Sequence, residues 1–250
     1  METGLRGKVV LITGPTRNHG KATALAFARE GASLLICTRK SMDLLEQTTH
    51  EASACGVRVI ASRCDATDEE QVNAFVQTGI VEFGHIDVVL NSAGWRARGD
   101  LLDVSREAWE AALQVNLYAP FLICRAVIPG MVQQRWGRIL NYTGTSAYHG
   151  NCASGTFKLA CVGFTRALAR AYGKYNITAN CVGPGSVELV RSPGQEVGQL
   201  RGWGGGLPVR PISRIGTVED CADLVVFLAS EKAGFITGQS YLVNGGRQML

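Results

Sequence analysis

Several things are scarce in this sequence, and each scarcity closes off a class of function. No apolar run approaches the roughly 20 residues that a membrane-spanning helix needs, so no membrane partner is expected. Met1 to Lys8 offers no long apolar core behind a basic head, and a cytoplasmic setting is expected. The eight cysteines form no Cys-x-x-Cys pair and no His-Cys cluster, which fits reduced, mostly buried thiols rather than disulfides or zinc ligands. No metal site is expected. Charged residues make up only 18% of the chain, the formal net charge is +4, and no Lys/Arg run stands out, which gives nucleic acid little to bind. No linker, repeat or low-complexity tract divides the chain.

What is present is a 250-residue chain with 46% hydrophobic residues, which suits one large α/β domain spanning 1–250. Short apolar runs read as seven buried strands: Val9 to Thr13, Ser33 to Thr38, Val57 to Cys64, Ile86 to Asn91, Gly137 to Tyr142, Ile177 to Val182 and Ser240 to Val243. Between them, Ala22 to Glu30, Asp68 to Phe83, Arg106 to Gln134 and Ala160 to Tyr172 have the length and apolar spacing of helices. Such alternation with short connections implies right-handed crossovers and a parallel sheet covered on both faces, a three-layer, doubly wound Rossmann-type fold. Gly183 to Ser213 breaks the rhythm, with Gly202-Trp-Gly-Gly-Gly206 inside it. It reads as a substrate lid or as an irregular surface excursion.

The first strand runs into Thr13-Gly14-Pro15-Thr16-Arg17-Asn18-His19-Gly20 and then a helix. Backbone amides at a helix N-terminus, approached closely where glycine lacks a Cβ, make a pyrophosphate site. Asn18 lies in this turn, and asparagine is the non-glycine side chain that best tolerates left-handed angles. His19 beside it either touches a phosphate, lines the active-site floor or is simply tolerated. The second strand ends in Cys37-Thr38-Arg39-Lys40, an arginine where an acid would grip ribose hydroxyls. With Arg17, it suits a 2′-phosphate and favours NADPH over NADH, unless Arg39 is solvated surface charge.

In this order and spacing, these segments resemble the short-chain dehydrogenase/reductase family over nearly the whole chain. The resemblance extends to Cys64-Asp65-Ala66 as the adenine contact and to Asn91-Ser92-Ala93-Gly94 as the sheet- and cofactor-supporting turn. It includes Asn116 as the residue that orders a relay water, and Gly183-Pro184-Gly185 with Val187 as the turn against the nicotinamide. Leu189 stands where many members carry a carboxamide-binding threonine, and Phe235 to Gln239 and Asn244-Gly-Gly246 resemble the closing strand. The resemblance implies an NADPH-dependent oxidoreductase acting on a small molecule, and a homotetramer or homodimer.

The catalytic positions depart from that family's pattern. Its Tyr-x-x-x-Lys appears as Ser154-Gly-Thr-Phe-Lys158, and its substrate-binding serine would fall at about Gly144. A serine hydroxyl is too weak an acid to replace a phenol with a pKa near ~10. Short-chain enoyl- and dienoyl-CoA reductases resemble this chain in carrying Ser-x-x-x-Lys, and the dienoyl members supply a tyrosine from the preceding loop. Tyr148 lies in that loop. The roles this implies are Lys158 holding the ribose, Tyr148 donating the proton, and Ser154 and Asn116 bonding substrate or water. Otherwise Tyr148 is a packing aromatic. His149 and Tyr142 are competing donors, Tyr142 being better suited to buried structure. Trp95, Arg96 and Arg98 follow a strand end and suit an aromatic or anionic substrate, or lie on the surface. The expected reaction is hydride reduction of a polarised C=O or C=C bond. The alternatives are a non-redox isomerase, cyclase or lyase on the same scaffold and a catalytically silent binding subunit.

Overall fold

The computed structural model describes residues 2–96, 100–148, 152–185, 187 and 211–250. Seven strands, β1 (Val9–Thr13), β2 (Ser33–Thr38), β3 (Val59–Arg63), β4 (Val88–Asn91), β5 (Gly137–Tyr142), β6 (Ile177–Pro184) and β7 (Ser240–Val243), form one sheet in the order β3-β2-β1-β4-β5-β6-β7. Every neighbouring pair is parallel. Among the described residues seven α-helices accompany them: α1 (Asn18–Arg29), α2 (Met42–Ser53), α3 (Glu69–Phe83), α4 (Arg106–Leu113), α5 (Ala119–Gln134), α6 (Ala153–Tyr172) and α7 (Val218–Ala229). This is the expected doubly wound α/β fold.

The strands are apolar throughout because both sheet faces are covered. Val9 and Leu11 of β1 join Val72 and Phe75 of α3, Leu122 and Val127 of α5 and Leu168 of α6. Val10 and Ile12 face the other way, onto Phe27 of α1, Leu45 of α2 and Val225 of α7. Each such side chain contributes about 1.5–3 kcal/mol by leaving water. The strand order reverses beside β1, between β2 and β4, so a crevice opens beyond their carboxyl ends.

Three departures from the sequence expectations bear on the site. First, α6 starts at Ala153 rather than Ala160. Gly155 and Thr156 are poor helix formers, but burial of Ala153, Ser154, Gly155 and Phe157 overrides that propensity. Second, Arg106–Gln134 is interrupted by a π-turn at Gln114–Tyr118, where Ala119 donates its N–H to the Gln114 carbonyl. Third, the same 29-residue helix is long and apolar enough to cross a membrane by length and composition, which corrects the expectation that no apolar run approaches that length. Its Leu122, Ile123, Val127 and Met131 are spent on the sheet. Smaller differences are that β3 begins at Val59, β6 continues to Pro184, and α1 begins at Asn18. All eight cysteines are free thiols, six of them buried.

Candidate active site

The turn after β1 is shaped by contacts with the next strand of the sheet. Thr13 Oγ1 accepts the backbone N–H groups of Ser92 and Ala93, each at 3.2 Å, tying β1 to the turn that leaves β4. Gly14 has φ 69°, and a Cβ there would lie 3.1 Å from the Ala93 Cα. At Gly20 a Cβ would lie 2.7 Å from Ser92 Oγ and 2.8 Å from the Gly14 carbonyl oxygen. Both glycines are thus required by the protein's own packing. Asn18 adopts φ 51°, the left-handed conformation anticipated for it. Next to it, His19 packs edge-on against Tyr142 with ring centroids 5.6 Å apart. Its Nε2 is buried with no hydrogen-bond partner among the described residues. Burial lowers its pKa from 6.5 to about 4, a nearby Glu219 offsetting part of the effect, so the ring is neutral at pH 7.

At the far side of this turn, Thr38 and Arg39 end β2, and Asp65 and Ala66 follow β3. The Cys64 N–H donates to the Thr38 carbonyl at 3.0 Å, holding the two ends together. Arg39 reaches Asp65 at 3.4 Å while its side chain stays half exposed. Asp65 also accepts the Thr67 N–H and hydroxyl at 3.0 and 2.7 Å. The carboxyl is partly desolvated, which raises its pKa, but these bonds and Arg39 outweigh that and lower it. Arg17 is exposed at the N-cap of α1.

The other end of the crevice brings Gly94, Asn116 and Lys158 together. The Asn116 carboxamide clamps Trp95, donating to its carbonyl at 2.7 Å and accepting its N–H at 3.3 Å, and donates to the Ala112 carbonyl at 2.9 Å. The π-turn places Asn116 there. Lys158 donates to the Tyr142 carbonyl at 3.1 Å. Its pKa is lowered, chiefly by burial and further by Arg96, against the raising influence of Cys161 and Cys181. A Cβ on Gly94 would sit 3.6 Å from Asn116 Oδ1 and 3.7 Å from Lys158 Nζ, ordinary contact distances. Among the described residues, no atom therefore demands a glycine at 94. Ser154 is buried one helical turn before Lys158 on α6.

Two expected residues are placed elsewhere. The Tyr148 hydroxyl donates to Ser240 Oγ at 2.7 Å. Ser240 begins β7, which is separated from β5 by β6, so the phenol is tied about 9–10 Å across the sheet from the strand whose carbonyl holds Lys158. The hydroxyl expected beside Ser154 is thus engaged with Ser240. Asn91 donates to Asn141 Oδ1 at 2.8 Å and to Cys124 Sγ at 3.7 Å, a buried strut between β4, β5 and α5. Among the competing donors, Tyr142 shares a 2.8 Å hydrogen bond with Thr23, and burial raises its pKa well above 10. Pro184 ends β6, Gly185 packs against Asn244, and Val187 bridges to Gly216. His149, Arg98, Leu189 and Gly202 to Gly206 lie outside the described residues.

The Gly144 conformation was hidden from sequence reasoning. It has φ 81° and ψ 161°. That combination belongs almost exclusively to glycine, so the position expected for a serine is built for its absence. A positive-φ demand leaves no mark in one sequence beyond the glycine itself.

A crevice at the switch of a parallel sheet, with a glycine turn on one side and a buried lysine and asparagine on the other, defines a dinucleotide-dependent α/β enzyme class. The family profile described as Enoyl-(Acyl carrier protein) reductase matches residues 15–248. The chain is 35% identical over 249 residues to (2S)-((R)-hydroxy(phenyl)methyl)succinyl-CoA dehydrogenase subunit BbsD of Thauera aromatica, covering 98% of both chains. It is 33% identical over 245 residues to the 3-oxoacyl-(acyl-carrier-protein) reductase FabG of Thermotoga maritima, covering 97% of this chain and 98% of that one. A levodione reductase crystal structure superposes with a TM-score of 0.87 at 26% identity, over 97% of this chain and 98% of that one. The chain belongs to the short-chain dehydrogenase/reductase family and is an oxidoreductase of that type.

Proposed function

We propose that this protein binds NADP(H) and transfers hydride to a polarised C=O or C=C bond of a small acyl substrate, without a phenol as proton donor. Gly94 carries this proposal. A Cβ there would make only ordinary contacts with Asn116 and Lys158 among the described residues, so the close approach of a ligand supports a glycine at this position better than the described packing does. Gly14, Asn18, His19 and Gly20 would hold the pyrophosphate, and the unpartnered His19 Nε2 fits a bound polar group. Arg17, Thr38 and Arg39 would take the 2′-phosphate; Asp65 and Ala66 the adenine; and Ala93, Gly94, Lys158, Pro184, Gly185 and Val187 the nicotinamide riboside, with Asn91 bracing the turn. A bound nicotinamide supplies the hydride. Lys158, anchored on the Tyr142 carbonyl, adds positive potential where charge develops on the substrate oxygen. Lys158, Asn116 and Ser154 would order the water that gives the proton. The names of the relatives give an acyl-carrier-bound oxoacyl group and a succinyl-CoA derivative, which supports an acyl thioester. We further propose one domain over 1–250, a cytoplasmic setting, and a homodimer or homotetramer.

The test is NADPH titration followed by a turnover screen on oxoacyl and enoyl thioesters. Lys158→Met should lower kcat at least about 100-fold, while Tyr148→Phe should change it less than about twofold. Absence of NADPH binding refutes this function.

A second reading is a cofactor-binding but catalytically silent subunit. The Gly144 backbone and the Tyr148–Ser240 bond favour it, as does the name of the Thauera relative, which calls that protein a subunit. It predicts tight NADPH binding with no turnover of any thioester by this chain alone.

A further inference from the structure

Tyr142 touches both ends of the crevice. At its backbone, the carbonyl accepts a hydrogen bond from Lys158 Nζ at 3.1 Å. At the tip of its side chain, the phenol lies 2.8 Å from Thr23 Oγ1, and Thr23 in turn donates at 2.7 Å to the His19 carbonyl, in the first turn of α1. Valence fixes the direction of this chain. A threonine hydroxyl carries one proton and a carbonyl can only accept, so Thr23 gives its proton to His19 and the phenol must donate to Thr23. The Tyr142 proton is thereby committed inside the fold. The His19 ring packs edge-on against the same tyrosine with ring centroids 5.6 Å apart, so two contacts join β5 to the residue before Gly20. These elements are not neighbours in the sheet. Because β4 lies between them, the strand that leads into the glycine turn, β1, and the strand that holds Lys158, β5, stand about 9–10 Å apart.

We propose that Tyr142 is a positioning residue that sets the distance between the Gly14–Gly20 turn and Lys158, and so matches the crevice to a ligand long enough to touch both. This rests on the proposed dinucleotide site, where NADPH would place its pyrophosphate on the turn and its nicotinamide ribose on Lys158. A ligand joined covalently across the two ends binds best when their separation is preset, because less free energy then goes into ordering them. One that reaches only the turn is indifferent to that separation.

The experiment compares NADPH with adenosine 2′,5′-bisphosphate, a fragment of it that would reach the turn and Arg39 but not Lys158. Tyr142→Phe is a mild change, because it keeps a ring against His19 and strands no donor, Thr23 retaining its own bond to the His19 carbonyl. Calorimetry on the full-length variant should show NADPH binding weakened about tenfold and the fragment within about twofold of the wild type. Thr23→Val should shift the ratio of the two affinities in the same way, whereas Thr23→Ser, which keeps the hydroxyl, should preserve it. A tyrosine that only stabilised the fold would lower the melting temperature and leave that ratio alone. Equal weakening of both ligands, an unchanged ratio, or a Thr23→Ser protein that behaves like Thr23→Val overturns the proposal and leaves the redox function standing. If the wild type binds no NADPH, the redox function is refuted, and hydrogen exchange of the ligand-free protein decides the rest. Amides from His19 to Leu25 that exchange at least about tenfold faster in Tyr142→Phe uphold the tie between the two ends, and equal exchange overturns it.

Discussion

At the Gly14–Gly20 end of the crevice the protein itself enforces the glycines, whereas at the Gly94–Lys158 end the described residues would accept a Cβ at ordinary contact distance. A Cβ at Gly20 would stand 2.7 Å from Ser92 Oγ, but one at Gly94 would meet nothing closer than 3.6 Å. The same contrast extends to sequence pattern. The Gly14–Gly20 end keeps the order of residues expected of its family, with Asn18 substituting for a glycine at a left-handed φ of 51°. The Gly94–Lys158 end keeps Asn116 and Lys158 but sets Gly144 in a conformation that a serine resists, and buries Ser154 where the family's tyrosine is expected. One end varies a motif within its geometry; the other has changed the geometry.

The sharpest way to break that contrast is to put the missing groups back. If the Gly94–Lys158 end had only lost two side chains, Gly144→Ser with Ser154→Tyr would regain a standard acid and raise activity. The geometry predicts the opposite. Serine at φ 81° costs about 1–3 kcal/mol. A phenol forced into a site where serine is only 2% exposed overpacks it by about 1–3 kcal/mol or more. Urea denaturation of the double variant should show a loss of about 2–6 kcal/mol, with no gain in turnover. A stable, faster double variant would show that the two ends follow the same plan.

Alanine at the two kinds of glycine tests the contrast directly. Gly20→Ala should destabilise the fold by about 1–3 kcal/mol, since both Ser92 and the Gly14 carbonyl must move. Gly94→Ala should leave the melting temperature nearly unchanged yet, on the proposed cofactor position, weaken NADPH binding about tenfold, because the methyl group would meet the ligand. Similar melting temperatures for the two variants would remove the distinction.

Beside the Gly14–Gly20 end, Arg39 separates the proposed charge recognition from stability. Its ion pair with Asp65 is 3.4 Å long and half exposed, and such pairs contribute about 0–1 kcal/mol. Arg39→Ala should therefore cost almost no stability while weakening NADPH binding about tenfold and NADH binding hardly at all. Equal losses for the two nucleotides would make Arg39 a structural residue.

How far the sequence could be read follows the same division. Strand positions were legible because fully buried parallel strands are written as continuous apolar runs, and β1, β2, β5 and β7 lie at the expected bounds. The start of α6 was hidden because Gly155 and Thr156 disfavour a helix that only tertiary burial completes. The resemblance to dienoyl-CoA reductases points to Tyr148 through its place in the loop before Ser154, but its hydroxyl bonds Ser240, 92 residues away, and no local pattern announces such a bond. Asn116 was legible as a residue type; the π-turn that aims it was not, since a widened helical turn has no periodicity of its own.

His19 lies on the boundary between the two ends, at the start of α1 but packed on the β5 tyrosine, and its titration offers the finest test of how they are joined. In the unfolded chain it takes up a proton near pH 6.5; in the fold, burial holds it neutral down to about pH 4. Between those values the unfolded state binds more protons, so stability rises with pH through the window and is lost as the pH falls from 6.5 toward 4. The residue is partly exposed, and solvent screening reduces the nominal effect to about 1 kcal/mol. Melting curves of the wild type at stepped pH should show this slope, and His19→Leu should remove it. NADPH saturation should flatten it as well if the cofactor satisfies the buried Nε2, because a bonded ring no longer depends on burial alone to settle its protonation. A slope that vanishes with leucine but is indifferent to NADPH would place His19 with the packing of Tyr142, on the rebuilt side of the boundary.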